Sequence, residues 1–174
     1  SFLSPQELES FDPSLSGVPI LNPLSQEEAV LRPSLLPSLL KTAALHHSHK
    51  IFDVRLFEFR KIFQKGKGGQ IDERLSLAGV LSGTRLLSHW SLPKGETDLY
   101  DLKGLLERLF AGLGLKGLEW QPAAPPAEVS FLHPQVALGV VLNGERIGLL
   151  GGLHPNVAEQ FELKRPTFIF EIDW

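Results

Sequence analysis

Six histidines are the first residues of this sequence with the chemistry to hold a metal or move a proton. His46, His47 and His49 crowd the end of one expected helix, where His46 and His49 share a face. A metal centre needs more ligands than these. No carboxylate lies on that turn, and Asp53 follows only after the expected break. Polar side chains suit the open carbonyls of a helix end, so a solvated terminus is the expectation. His133 and His154 each precede a proline, inside a Leu-His-Pro tripeptide that occurs at Leu132–Pro134 and again at Leu153–Pro155. As a pair they would be acid–base groups of a free-standing enzyme. No serine or carboxylate stands at a supporting spacing, so each imidazole is expected to bond loop backbone and fix a turn.

Glu96, Asp98 and Asp101 surround Tyr100 at a predicted helix start. Paired carboxylates do acid–base work, but acids in a first turn also complement the helix dipole, and that role is expected here. Gly148-Leu149-Leu150-Gly151-Gly152 is glycine-rich without the lysine or spacing of a phosphate loop. Close backbone packing in a strand explains it better. Arg55, Arg60, Lys61, Lys65 and Lys67 follow one strand and its turn, a pattern with an RNA-contact reading.

The elements that carry these residues follow from punctuation and periodicity. Residues 1–21 contain Pro5, Pro13, Gly17 and Pro19 and read as an irregular entry segment, in which Ser4-Pro5-Gln6-Glu7 starts a short helix. Residues 22–174 read as a single domain. Ser25 is expected to cap a turn that Arg32-Pro33 stops, with Glu28 capping reciprocally. Pro37 then opens a helix to about His49, with Leu39, Leu40, Ala43 and Ala44 at helical spacing. Phe52 to Phe63 reads as a long strand that places Phe57, Phe59 and Phe63 on one face and Glu58 and Arg60 on the other. Lys65 to Gln70 forms a hairpin tip, and Arg74 to Ser82 returns as a strand. Gly83 to Gly95 is a loop carrying His89 and Trp90.

Asp98 to Leu113 is an amphipathic helix with the stripe Leu102, Leu105, Leu106, Leu109 and Phe110. A short strand at Leu118–Trp120 and a proline-rich loop at 122–126 follow. Asn143-Gly144 joins two strands, Val136–Leu142 and Arg146–Gly151, by a two-residue turn. His154-Pro155 opens a short helix, and Thr167–Ile172 is a last strand. Strands joined mostly by hairpins favour an antiparallel sheet flanked by three helices, an α+β fold.

At 174 residues, 43% hydrophobic and 21% charged, the chain has ordinary globular composition and enough apolar residue for one sizeable core. Its net charge of −3 argues against a dedicated nucleic-acid module, a test that a local basic patch escapes. The absence of cysteine rules out a disulfide scaffold, a thiolate nucleophile and a zinc–thiolate site, and is compatible with a reducing cytoplasm. No apolar run reaches the length of a membrane span, and the N-terminus has no signal-peptide pattern. The chain has no methionine at its start and is expected to be a fragment or a trimmed product.

Several motifs in order go further: Asn22-Pro23-Leu24-Ser25, the run Leu31-Arg32-Pro33-Ser34-Leu35-Leu36-Pro37-Ser38-Leu39-Leu40, Leu56-Phe57-Glu58-Phe59 with Phe63, and Tyr100-Asp101-Leu102-Lys103-Gly104. Phe131-Leu132-His133-Pro134, Asn143-Gly144 with Ile147-Gly148, Gly151-Gly152-Leu153-His154-Pro155 and Phe170-Glu171-Ile172-Asp173 follow. Together they resemble the beta-chain family of phenylalanine–tRNA ligase over nearly the whole chain. The chain departs from that family where His46 and His49 stand in place of the usual asparagine and arginine, and where Arg60 replaces a usual glycine.

The resemblance implies a module built like the catalytic domain of a class II aminoacyl-tRNA synthetase but without catalysis, cytoplasmic, in an (αβ)₂ heterotetramer. In the family the alpha chain makes phenylalanyl-adenylate from phenylalanine with ATP and magnesium, and the whole enzyme binds tRNA. Phe57-Glu58-Phe59-Arg60 is similar to a class II second motif but lacks the arginine that precedes the glutamate there and holds ATP phosphate. Gly148 to Gly152 likewise lacks the arginine-terminated pattern that clamps ATP, and the bidentate guanidinium has no substitute in glycine or leucine. No catalytic, cofactor or metal residue is therefore expected. The leucine-rich region is the family's counterpart of the dimer-interface motif, which makes Leu31, Leu35, Leu36, Leu39 and Leu40 the expected contacts with the alpha chain, as exposed-prone apolar surface.

Overall fold

The alternation after Phe52 builds the backbone of the molecule. In a computed structural model that describes residues 2–15, 17–23, 25, 29–66, 68–85, 95–123 and 129–174, β4 (Val54–Lys65) turns back into β5 (Ile71–Ser82). The two strands pair antiparallel without a register break, from Val54 opposite Ser82 to Lys65 opposite Ile71. A second hairpin joins β7 (Leu132–Leu142) to β8 (Glu145–Leu153) through Asn143 and Gly144. Both turn residues have positive φ, 51° and 85°, which is the backbone a tight primed turn demands and the reason Asn-Gly stands there. β9 (Thr167–Asp173) enters between the hairpins, and β6 (Leu118–Pro122) adds to the far edge. The sheet order is β4-β5-β9-β8-β7-β6, antiparallel at every ladder, so the α+β antiparallel architecture stands as predicted.

Alternation along these strands makes two apolar faces, each with its own core. One face, with Val54, Ala78, Val80 and Ile169, lies under α2 (Leu36–Ser48), α1 (Pro5–Phe11) and α4 (Pro155–Gln160). The other, with Leu81, Val140, Leu150, Phe170 and Ile172, lies under α3 (Leu99–Gly112). Asp98 caps α3 in a box with Asp101, and Leu102, Leu106 and Phe110 are buried, whereas Leu105 falls off the expected stripe and is exposed. Among the described residues no helix is long and apolar enough to cross a membrane.

Residues 1–21, expected as an irregular entry segment with one short helix, also carry two short strands. The helix expected from Ser4-Pro5 forms as α1, with Ser4 and Glu7 in a capping box, and the strands are β1 (Phe2–Leu3) and β2 (Val18–Pro19). Both pair with β3 (Val30–Leu31) in a small three-stranded sheet. Leu3, Leu8 and Phe11 are buried, and Phe11 stacks on Phe131 with ring centres 4.5 Å apart. The entry segment is thus part of the same core. The turn expected after Ser25 falls largely on residues outside the described set, and its far end, Val30–Leu31, is a strand.

The glycine-rich segment packs backbone on backbone. A Cβ at Gly148 would sit 2.8 Å from Ile172 Cα and closer still to the Glu171 carbonyl oxygen, and one at Gly151 would sit 2.6 Å from the Val136 carbonyl oxygen. These atoms are main chain and cannot swing away. Gly148→Ala is therefore expected to cost at least the ~1–3 kcal/mol of ordinary overpacking, measured by urea unfolding.

Candidate functional site

Helix α2 begins without a side-chain cap of its own, because Leu35 occupies the cap position. Its first N–H groups need acceptors, and the sheet beneath supplies one. The Leu35 N–H donates to Glu171 Oε1 at 2.7 Å, and the Ser34 hydroxyl donates to Glu171 Oε2 at 2.6 Å. Ser34 Oγ in turn accepts from the Leu36 N–H at 3.2 Å, and the Ser76 hydroxyl reaches Glu171 Oε1 at 3.3 Å. Glu171 thus caps a helix from the middle of β9, with its carboxyl oxygens at the positive end of the helix dipole.

A second carboxylate holds the preceding residue. Arg32, 2% exposed, donates from Nη1 and Nη2 to the two oxygens of Glu58 at 3.2 and 2.8 Å. The Phe63 N–H also donates to the Arg32 carbonyl at 2.9 Å, which ties the same loop to the edge of β4. Glu58 and Glu171 stand in one row of the sheet, on either side of Ala78. Arg32, Ser34 and Leu35 therefore rest on two acids two strands apart. Burial pushes the Glu171 carboxyl up to about 7, against the lowering effect of the Leu35 N–H and the Ser34 hydroxyl.

That elevation has a definite sign. An acid whose carboxyl is raised on folding binds more protons folded than unfolded between about pH 4.5 and 7. Its contribution to stability is complete below the unfolded value and declines as pH rises to about 7. Glu171→Gln keeps an acceptor for Leu35 and a donor for Ser34 without the charge. The variant is expected to lose this part of the decline, a difference on the order of 1–3 kcal/mol between pH 5 and 8, read from urea midpoints.

The expected interface leucines are placed differently from their prediction. Leu35, Leu36 and Leu40 are 0% exposed and Leu39 is buried, all in the core between α2 and the sheet, while Leu31 in β3 is half-buried. As exposed-prone apolar surface they are corrected: the chain's own sheet is their burial partner. The outer side of α2 carries Lys41, Thr42 and Leu45 instead, all exposed.

The histidines act locally. His133 Nδ1 accepts from the Gln135 N–H and His154 Nδ1 from the Asn156 N–H, each at 3.2 Å, the same turn in both Leu-His-Pro copies. Leu132 and Leu153 are register partners, so the two copies start side by side. His46 Nδ1 bonds the Thr42 carbonyl at 2.8 Å. His47 is not on a solvated end, as expected, but buried, where it accepts from the Lys164 N–H at 3.0 Å and burial lowers its pKa. Asp98 and Asp101 both bind Arg85 besides capping α3. Sequence reasoning missed both carboxylate contacts. A signal existed for one: Glu58 lies on the same strand face as Leu56 and Ile62, which marks an acid facing inward.

Among known proteins, the phenylalanyl tRNA synthetase beta chain CLM domain matches residues 1–174. The phenylalanine–tRNA ligase beta subunit of Moorella thermoacetica is 36% identical over 180 residues, covering 100% of this chain and 22% of that protein. The subunit of the same name from Syntrophus aciditrophicus is 36% identical over 179 residues, with 99% and 22% covered. The chain thus spans about a fifth of the length of these relatives. In structure it is similar to pyrrolysyl-tRNA synthetase from Desulfitobacterium hafniense, with a TM-score of 0.67 at 15% identity over 98% of this chain and 57% of that one.

Proposed function

Because the chain belongs to the phenylalanyl tRNA synthetase beta chain CLM domain family and has a class II synthetase-like fold, we propose that it is a non-catalytic assembly module of a phenylalanine–tRNA ligase beta chain. Its work is to support, in an (αβ)₂ heterotetramer, the alpha chain that attaches phenylalanine to tRNA. The observation that carries this reading is where the polar groups of the catalytic-like sheet are spent. Glu58 is engaged by Arg32, Glu171 by the start of α2, and the glycines of β8 by the backbone of β9 and β7.

ATP and magnesium belong to the alpha chain on this reading. The residues here do not fit them: the acid of the second-motif-like strand is neutralised inside the fold, and β8 closes on main chain rather than offering an arginine fork. The buried leucines serve assembly indirectly, by seating α2 so that Lys41, Thr42 and Leu45 face outward toward the partner. Mixing the chain with its alpha chain is expected to give co-elution in sizing chromatography, with no ATP–pyrophosphate exchange by the chain alone. Exchange by the isolated chain, or elution of the two chains apart, would overturn the proposal.

A further inference from the structure

The face of β4 that points away from α2 is unlike the rest of the sheet. Its residues in order are Arg55, Phe57, Phe59, Lys61, Phe63 and Lys65, three cations and three phenylalanines with no acid among them. Helix α3 covers this side of the sheet over β8 and β9, and leaves β4 open at the edge. Phe57 is 78% exposed and Phe59 46%, and Trp174, 54% exposed, meets Phe59 edge-on with ring centres 6.2 Å apart. An open groove of about 660 Å³ adjoins the strip; its lining is mixed in charge, with Lys61, Arg74 and Arg146 against Glu73, Glu145 and Asp173.

Large aromatic rings rarely remain this exposed beside one another without a partner. The charges around them are what identify one. Lys61 pairs with Glu73 on β5, while Arg55 donates to the carbonyls of Thr84 and Arg85 and has no ion pair among the described residues. Lys65 is exposed at the far end of the strip. Successive residues on one strand face stand about 6.6 Å apart, so the strip repeats ring and cation along a straight line. Rings that stack bases, flanked by cations that follow a phosphate backbone, are the arrangement by which open sheets bind single-stranded nucleic acid. Arg60, which sequence grouped with these cations, points to the opposite face and is excluded from the set.

We infer that the β4 strip is a binding site for a single-stranded RNA segment, with Phe57 and Phe59 as stacking platforms and Arg55, Lys61 and Lys65 as phosphate contacts. The site does not depend on the assembly role proposed above, because α2 lies on the other side of the sheet. The test measures fluorescence anisotropy of a labelled twelve-nucleotide RNA of mixed sequence, single-stranded and as a duplex, against the 174-residue chain from low to moderate salt. The single strand is expected to bind more tightly than the duplex. Phe57→Ala with Phe59→Ala is expected to weaken it at least about tenfold. Lys61→Ala with Lys65→Ala is expected to lower the slope of log affinity against log salt by about 1.4. Phe57→Tyr with Phe59→Tyr restores stacking and should restore binding. All these side chains are on the surface, and unchanged circular dichroism certifies each variant. Absence of binding at low salt, equal affinity for duplex, or phenylalanine variants that bind RNA normally would each overturn the inference. The last result joined to lost co-elution with the alpha chain assigns the strip to a protein partner instead.

Discussion

Leu40→Asp is expected to leave the chain unfolded rather than merely unassembled. Leu40 is 0% exposed and packs with Leu36, Ala43 and Ile169 in the core beneath α2. Removing such a side chain alone costs about 2–5 kcal/mol, and the introduced carboxylate adds the cost of an unpaired buried charge. Domains of this kind have about 5–15 kcal/mol in total. Far-UV circular dichroism of the variant should show lost helix and sheet, whereas Leu45→Asp on the exposed side of the same helix should keep the wild-type spectrum. A folded Leu40→Asp chain would mean that α2 does not sit as described. The pair of substitutions also separates packing from assembly: only Leu45→Asp can weaken co-elution with the alpha chain while the fold survives.

Glu58→Ala is expected to cost about 3–5 kcal/mol, because it strands a buried guanidinium. Arg32 is shut in under the α2 loop, and its Nε already lacks a hydrogen-bond partner among the described residues. Both of its terminal nitrogens rely on Glu58. The Glu58 side chain keeps 27% exposure, which lets some water reach the vacated position and favours the lower end of that range. Replacing both partners, Arg32→Met with Glu58→Leu, removes the charge and the penalty together and should recover most of the loss. Urea unfolding of the two variants and the wild-type chain measures this directly. Equal stability of the single and double variants would show that stranding the Arg32 guanidinium carries no penalty.

These two sites mark what the sequence made legible and what it did not. Local rules worked where a residue's own neighbours decide its geometry. Asn143-Gly144 dictated its hairpin, Ser4-Pro5 its helix start, and alternation sorted Phe57 and Phe59 from Glu58. They did not say which face of β4 lies inward. The eye assigns phenylalanines to a core and an acid to solvent, yet here the acid faces α2 and the two rings face out. The reason is non-local: Arg32 waits for Glu58 across the loop, and the start of α2 lacks a cap until Glu171 arrives from β9, far along the chain. The leucine run was read as surface because the sequence shows apolar density but not the sheet that absorbs it. The buried His47 escaped for the same cause, since its partner, the Lys164 N–H, comes from a loop after α4.

The position of β9 also governs the order in which the molecule assembles. The hairpins β4–β5 and β7–β8 close over short turns and are the fast, local events of folding. Neither pairs with the other. Only β9 joins them, and Ser76 of β5 meets Glu171 of β9 across a separation of 95 residues. Loop-closure entropy places that pairing late, and it brings with it the acid that caps α2. Without the last strand the two hairpins share no ladder and the Leu35 N–H has no carboxyl acceptor. Insertion of β9 is then a single committing step that completes the sheet, both cores and the helix seat together.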